Sequence, residues 1–409
     1  MANERNHVQN NVFTDVALRE RMRLEAQGVL RKRALSQQEQ YRKALDEVVI
    51  SQEHVKDLAA QMMYLINARA YGTMTSTQKI AGARMNTLFI GPSGCGKTLT
   101  ASHIAHNANV PFAEFALLRV SSTGLVGGKI DDSFMSYIMN VIERERKKLN
   151  KEESRKMDDG ELYERCHEKN YGIMFYDEID KLAGTNDLQL ANGGISKKVQ
   201  QELLDILQGT TVDVGVGATQ TPIGLESVSI PLNTSEMTFI CAGAFTGLEE
   251  IIGKRCGLDI KKLTKRDVYD KMIADDLVEY GLLPELLRRF DQIITFDELT
   301  INDFVRIIRE TKKSPVNIKR DVLQAYYGTK LTIEDNVYEY IASLSLKNKQ
   351  LGAGALNQVC NDLLNPIMQR LWEYTQNDAV TITLPLAQKL LAKYELKNSV
   401  QQQIGFSKN

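Results

Sequence analysis

The residues best suited to chemistry form one glycine-rich segment, Gly91-Pro92-Ser93-Gly94-Cys95-Gly96-Lys97-Thr98. Its spacing, G-x-x-x-x-G-K-[ST], is that of a P-loop. Glycines let the backbone curl so that successive N–H groups point at one phosphate, and the start of a following helix adds its positive dipole end. The Lys97 ammonium can reach the outer phosphates of a nucleoside triphosphate, and the Thr98 hydroxyl can bind Mg²⁺. The expected ligand contacts are Pro92, Ser93, Gly94, Cys95, Gly96, Lys97, Thr98 and Leu99.

An acidic pair, Asp177-Glu178, ends a second informative stretch. It follows the apolar run Gly172-Ile173-Met174-Phe175-Tyr176, which has the length and composition of a buried strand. A carboxylate at such a strand end can hold the Mg²⁺ shell, and the next one can orient and deprotonate an attacking water. We therefore predict catalytic roles for Lys97, Asp177 and Glu178, with Thr98 and Asp177 as the magnesium ligands.

Several apolar runs have the character of the strands that must position these groups. The run Leu88–Ile90 precedes the P-loop, and further strands are predicted at Pro111–Phe115, Met237–Cys241 and Ile293–Phe296. The segment Thr211–Pro231 alternates Val with Gly and Thr, which predicts a hairpin. The charged segment Glu143–Lys169 contains few large apolar residues and is expected to lie outside the core.

The sequence pattern changes after residue 298: from there on, helical patterns dominate and one strand, Val380–Thr383, is predicted. We predict an α/β fold with four parts: a helical, partly basic extension (1–46), a large domain with a parallel sheet and flanking helices (47–298), a smaller, mostly helical α+β lid (299–396) and a tail (397–409). A length of 409 residues exceeds what one core supports.

The bulk composition excludes several classes of protein. The formal net charge of −1 argues against a chain built mainly to bind nucleic acid. No apolar run approaches the ~20 residues of a membrane span, and the polar N-terminus lacks a signal core. The five scattered cysteines form no C-x-x-C pair, which fits a reducing cytoplasm and not a zinc ribbon.

The ordered set of motifs resembles the AAA+ ATPases of the Clp family, with most similarity to the ClpX type and then to the HslU type. The resemblance runs from about Val49 to Thr383 and rests on more than the P-loop. Its blocks are Val49-Ile50-Ser51-Gln52, the P-loop, the segment GIMFYDEIDK (172–181), Val199–Leu204 with Gln208-Gly209-Thr210, Phe239–Phe245 and Gly281-Leu282-Leu283-Pro284-Glu285-Leu286-Leu287-Arg288-Arg289.

This resemblance implies a cytoplasmic ATPase that acts on protein substrates as a homo-oligomer, a hexamer in the family, with ATP and Mg²⁺ as cofactors. It implies that Ile50 contacts adenine. It also implies that Arg289 reaches the γ-phosphate held by a neighbouring subunit, with Arg288 as the alternative if the alignment slips by one. A substrate-gripping pore loop is implied at Gly124, Leu125, Val126 and Gly127.

The chain departs from the family pattern at several of these positions. The family's phosphate-sensing arginine is replaced by Gly354, and the pore loop has Leu125 where the family has an aromatic residue. The segment Gly215–Glu226, which should carry a basic substrate-sorting loop, contains no Arg, Lys or His. The peptidase-docking Ile-Gly-Phe loop is missing between Gly247 and Glu279, although Ile404-Gly405-Phe406 occurs in the tail, so a peptidase partner stays an open question.

Three functions are compatible with these residues. The first is a ring-forming unfoldase or remodelling chaperone that hydrolyses ATP. The second is an ATP-binding scaffold with little turnover, which Gly354 favours. The third is a nucleic-acid motor, which only the basic stretch Arg19–Arg33 favours.

Overall fold

A five-stranded parallel sheet forms the centre of the larger part of the fold. The structure is a computed structural model, and it describes residues 28–29, 31–71, 84–117, 130, 133–183, 193–221, 224–347 and 353–405. The strands in chain order are β1 (Thr87–Ile90), β2 (Phe112–Ala116), β3 (Ile173–Asp177), β4 (Thr211–Thr221), β5 (Gly224–Asn233), β6 (Thr238–Gly243), β7 (Gln292–Thr295), β8 (Lys330–Ile333) and β9 (Ala379–Ile382). The central sheet has the order β2-β3-β6-β1-β7. β6 therefore lies between β1 and β3, the two strands that carry the predicted motifs.

Helices surround this sheet and make up most of the C-terminal part. They are α1 (31–46), α2 (Glu53–Ala70), α3 (Lys97–Ala108), α4 (Ser133–Lys148), α5 (Lys151–Lys156), α6 (Asp159–Arg165), α7 (Gly193–Gln208), α8 (Leu248–Cys256), α9 (Lys265–Tyr269), α10 (Ala274–Tyr280), α11 (Pro284–Leu287), α12 (Ile301–Glu310), α13 (Pro315–Tyr327), α14 (Asp335–Lys347), α15 (Ala353–Gln369), α16 (Leu371–Tyr374) and α17 (Leu384–Gly405). None of the helices in these ranges combines the length and apolar character that a membrane span requires.

The two faces of the sheet pack into separate apolar cores. Alternate residues of a strand point to opposite faces, and in β1 Leu88 joins one core while Phe89 joins the other. The first core includes α4 and α7, and the second includes α2 and α3. Because both faces are covered, the strands of the sheet centre are continuous apolar runs, as predicted for a parallel sheet.

A third core lies in the C-terminal part and extends from Leu299 to Tyr394. It is built from α12 to α17 and a two-stranded parallel sheet in which Leu331 of β8 is in register with Val380 of β9. The sequence predicted only the second of these strands. β8 was missed because its four residues alternate exposed and buried positions and carry little apolar signal.

The charged segment Glu143–Lys169 was expected outside the core, and this prediction was wrong. Asn150 and Asp158 begin α5 and α6 with capping boxes, so the polar residues define two short helices. The second helix turns Leu162 and Tyr163 inward, where both are buried in the first core. Cys166 is buried in the same core, and Leu149 and Met157 pack against it, so a few scattered apolar residues anchor a segment that is polar on average.

The hairpin prediction was confirmed. β4 and β5 form an antiparallel pair, with Thr211 opposite Asn233 and a register shift between Gly215 and Gly217.

The tail tripeptide falls at the limit of the described residues: Ile404 and Gly405 end α17, and Phe406 lies outside them.

Candidate active site

The predicted phosphate-binding loop lies between the end of β1 and the start of α3, in the geometry that the motif requires. Gly94 and Gly96 have φ angles of 75° and 103°, in the left-handed region that favours glycine. Gly91 is fixed by packing, because a Cβ atom there would lie 2.7 Å from the Cβ of Phe296. The loop therefore needs glycine at these positions for two different reasons.

Helix α3 begins directly at the end of this loop, at Lys97. Gly96 is the N-cap residue and supplies no side-chain acceptor, so the first N–H groups of the helix have no cap from a side chain. The start of a helix favours anions because its first amides have no partner within the helix and its dipole is positive there. A triphosphate fits these donors by charge and by hydrogen bonding.

Lys97 is buried and its ammonium lies against the loop itself. Its Nζ donates to the carbonyl oxygens of Gly91 at 2.7 Å and of Pro92 at 2.9 Å. An ammonium has three donors, so one remains for a ligand oxygen. Cys95 is also buried, which raises the pKa of its thiol to about 11. At neutral pH this thiol stays protonated, and the residue offers its backbone to a ligand.

The acidic pair lies at the same edge of the sheet as the loop. Asp177 ends β3, and its Oδ1 accepts a hydrogen bond from the Glu178 N–H at 2.8 Å. Glu178 has a φ angle of 63°, an uncommon value for a residue with a side chain. Both side chains are half-buried. The structure therefore brings the predicted carboxylates and the P-loop to the same edge of the sheet, at the ends of β3 and β1, with β6 between them.

Asp180 is a buried carboxylate in this region to which the sequence assigned no role. Its Oδ2 has no hydrogen-bond partner among the described residues, and the Lys181 ammonium lies 3.4 Å from it. A Cβ atom on Gly243, the last residue of β6, would lie 2.7 Å from Asp180 Oδ1. The glycine at the end of β6 thus makes room for a carboxylate close to the acidic pair.

A cleft separates the P-loop from the C-terminal core. It spans about 350 Å³, part of it open to solvent. One wall is the loop and the other comes from the C-terminal part of the chain; the lining residues are Pro92, Ser93, Gly94, Cys95, Glu298, Leu299, Phe304, Ser345 and Leu346. The predicted nucleotide site is therefore bounded by both parts of the fold.

The segment that contains Ile50 is tied to the residues that follow β7. The Gln52 side chain donates to the Asp297 carbonyl at 2.8 Å and accepts from the Asp297 N–H at 2.9 Å. Ser51 donates to a carboxylate oxygen of Asp303 on α12. Ile50 itself is buried, and its contact with adenine stays a prediction.

Arg289 lies at the opposite edge of the sheet from the P-loop. β1 and β7 are parallel, and Thr87 is in register with Gln292, so a residue just before β7 lies where β1 begins. The P-loop follows the other end of β1, about 13 Å of strand away. Arg288 and Arg289 are both exposed. The structure therefore keeps Arg289 apart from the P-loop of its own chain.

The remaining predicted site residues lie elsewhere. Gly354 is exposed near the start of α15, with no heavy atom within 4 Å of the position a Cβ would take. The pore-loop residues Gly124, Leu125, Val126 and Gly127 lie outside the described residues. Their role stays a prediction.

Comparison with known proteins agrees with the fold. Residues 83–293 match the family model described as AAA domain (Cdc48 subfamily). This match covers more than half of the chain and includes the P-loop, the acidic pair and Arg289. The chain belongs to the AAA family, and nucleotide binding follows from that membership.

Two curated relatives confirm the predicted resemblance to the ClpX type, in divergent form. The chain is 30% identical over 293 residues to the ATP-dependent Clp protease ATP-binding subunit ClpX of Treponema denticola, an alignment that covers 69% of this chain and 65% of the relative. It is 29% identical over 341 residues to ClpX 2 of Wolinella succinogenes, which covers 83% of this chain and 79% of the relative. The chain thus spans about two thirds of the length of the first of these relatives and about four fifths of the second.

Proposed function

We propose that this chain is a subunit of a ring-forming ATPase that uses hydrolysis to unfold or remodel protein substrates. The observation that carries the proposal is the division of the site between two edges of one sheet. The P-loop, Asp177 and Glu178 share one edge, and Arg289 is exposed at the other. One chain therefore holds both halves of a site that only two chains can complete.

The residues of one chain would bind and orient the substrate ATP. The amides of Gly94 to Thr98 bind its phosphates, and the third donor of Lys97 reaches an outer phosphate oxygen. Thr98 and Asp177 have the oxygen donors that Mg²⁺ prefers and would hold that ion, which would offset the negative charge of the phosphates. Glu178 orients a water molecule and accepts its proton as the bond to the outer phosphorus forms and the bond to the departing ADP breaks.

The proposed assembly has further parts. Arg289 of a neighbouring copy would stabilise the charge on the transferred phosphoryl group. We propose residues 47–298 as the ATPase domain and 299–396 as the lid that closes the cleft, six copies in the ring, and a cytoplasmic location. The described cysteines are all free, which supports a reducing compartment.

The Glu178→Gln variant tests the proposal. Glutamine keeps the size of the side chain but cannot accept the proton. We expect ATP binding within twofold of wild type and a loss of steady-state turnover of about 10²–10⁴-fold. Turnover near the wild-type rate would remove Glu178 from the role.

A second candidate, an ATP-binding scaffold with little turnover, is favoured by Gly354. Near the start of α15 the position offers open space and no side chain that could reach a phosphate. The same ATPase assay separates the two functions, because a scaffold would bind ATP while the wild-type protein scarcely releases phosphate.

A further inference from the structure

A second pocket lies at the sheet edge where β1 and β7 begin. It encloses about 470 Å³, part of it open to solvent. Three of its lining residues are arginines and one is an acid; the lining is Arg84, Asn86, Leu207, Gln208, Arg288, Arg289 and Asp291. The pocket therefore carries an excess of positive charge next to Arg289.

Arg84 and Arg289 occupy matching positions in the sheet. Thr87 of β1 is in register with Gln292 of β7, and each arginine stands three residues before its strand position. Parallel strands in this register bring the preceding segments to the same edge. The Asn86 N–H donates to Asp291 Oδ2 at 2.9 Å, and the Asp291 N–H donates to the Asn86 carbonyl at 2.8 Å, so the two segments are also joined directly.

Within the described ranges, the Arg84 guanidinium has few acceptors. Its NH1 is buried with no hydrogen-bond partner among the described residues, and its NH2 makes only a long contact, 3.4 Å, with the Gln208 carbonyl. Burial and the nearby Arg69 lower the pKa of Arg84, with Asp291 and Glu236 opposing them. An arginine that is partly desolvated and short of acceptors is expected to bind an anion.

The neighbouring acids are already engaged. Glu236 Oε2 accepts from Arg69 NH2 at 2.7 Å, and Asp291 Oδ2 is occupied by the Asn86 N–H. Arg288 and Arg289 are exposed and bring two more charges to the same opening. A ligand with several anionic oxygens would complement the pocket, and a phosphoryl group has that chemistry.

We propose that Arg84 is a second arginine which, together with Arg289, contacts the terminal phosphoryl group of the triphosphate bound by a neighbouring copy of this chain. The inference rests on the proposed function and extends it. Arg84 cannot serve the nucleotide of its own chain, because the P-loop lies beyond the other end of β1. Its guanidinium would touch the reacting phosphate, so it is assigned as a catalytic residue acting between chains.

Replacing Arg84 with methionine tests the assignment. Methionine keeps the unbranched stem and removes the charge. We expect the turnover number of Arg84→Met to fall about 10–100-fold, the worth of one charged hydrogen-bonding group, with ATP affinity within twofold of wild type. Arg84→Lys should recover part of the rate, because it keeps the charge but loses the planar fork. Arg165→Met on α6, which removes another exposed arginine, is the matched control and should leave turnover unchanged.

A mixing experiment separates catalysis between chains from a structural effect. Arg84→Met and Glu178→Gln subunits, each slow alone, should regain activity when mixed, since an Arg84→Met site with its own Glu178 can face an intact Arg84 on a Glu178→Gln neighbour. Folding of each variant is checked by its melting temperature. Absence of recovery from well-folded subunits would overturn the assignment.

Free phosphate is the other source of this ligand chemistry. If the pocket takes inorganic phosphate, added phosphate would change the wild-type rate but not the Arg84→Met rate, and mixing would restore nothing; that result also overturns the proposal. If the wild-type protein hydrolyses ATP and the Arg84→Met variant does so at the same rate, this inference alone is rejected. A wild-type protein without turnover would instead reject the proposed ATPase.

Discussion

The two edges of the central sheet differ in how their functional groups are held. At the edge after β1, β3 and β6, the groups are tied down: Lys97 donates to two loop carbonyls, and Asp177 accepts from the Glu178 N–H. At the edge before β1 and β7, Arg289 is exposed and Arg84 NH1 has no acceptor among the described residues. The first edge is prepared to bind a ligand within its own chain. In the proposed function, the arginines of the second edge bind a ligand that another chain holds.

This difference predicts which substitutions should affect only the chain that carries them and which should affect a neighbouring chain. If the proposed function is right, a change at the P-loop edge affects the chain that carries it, whereas a change at the arginine edge affects the nucleotide of its neighbour. Binding and turnover should therefore separate cleanly between the two sets of variants.

Arg289→Ala should have the largest effect. Loss of an arginine that stabilises transition-state charge costs about 10³–10⁵-fold in turnover, while ATP affinity should stay within a few-fold of wild type because the P-loop is untouched. Steady-state phosphate release and nucleotide titration measure the two quantities. If Arg288→Ala gave the large loss and Arg289→Ala did not, the alignment would be off by one residue.

Lys97→Met should weaken ATP binding at the P-loop edge. Removing the ammonium takes away one charged hydrogen bond to phosphate, so ATP affinity should fall about 10–100-fold. Fluorescent-nucleotide titration of the purified variant measures this directly. Unchanged affinity would show that the P-loop lysine remains engaged with Gly91 and Pro92 when nucleotide is bound.

Gly354→Arg tests the open position near the start of α15. The structure offers space for a side chain there, and an arginine that reached a phosphate would strengthen binding or speed turnover about tenfold. Gly354→Gln is the matched control for bulk without charge. Equal effects of the two variants would show that position 354 does not face the nucleotide.

Asp303→Asn should have the smallest effect. It weakens the contact between Asp303 on α12 and Ser51, the residue after Ile50, and so lowers the stability of the fold. Burial raises the pKa of the Asp303 carboxyl, but hydrogen bonds from Ser51 and Thr300 outweigh it and lower the pKa overall. A lowered pKa means that the carboxylate stabilises the fold above the ordinary Asp pKa of about 3.9 and loses that contribution as the pH falls through the lower value. We expect a stability loss of about 1 kcal/mol at pH 7, seen in thermal melts, which shrinks toward pH 3. A loss independent of pH would contradict the ionic origin.

The sequence was enough for one edge of the site because that edge is made of local motifs. The spacing of Gly91 to Thr98 predicts a phosphate-binding loop, the acidic pair after an apolar run gains weight from that loop upstream, and parallel strands bring their ends to one edge. Arg84 and Asp180 could not be found in this way. Their significance depends on the register of β1 with β7 and on the packing of Asp180 against Gly243, which involve residues far apart in the chain.

The fold itself was predicted where strands are continuous apolar runs and missed where they are not. β1, β3 and β6 are buried on both faces, so composition alone identifies them. β8 and the segment with Leu162 and Tyr163 carry their apolar residues in short or interrupted patterns. Tertiary contacts decide the structure of such segments.

The shared site requires that copies of this chain associate when nucleotide is bound, and native mass measurement of the Glu178→Gln variant with and without ATP tests this most directly. We expect this variant to hold ATP without consuming it, so the complete site should persist. We predict a closed ring of six copies with ATP that Arg289→Ala weakens. A monomer at saturating ATP would contradict the account.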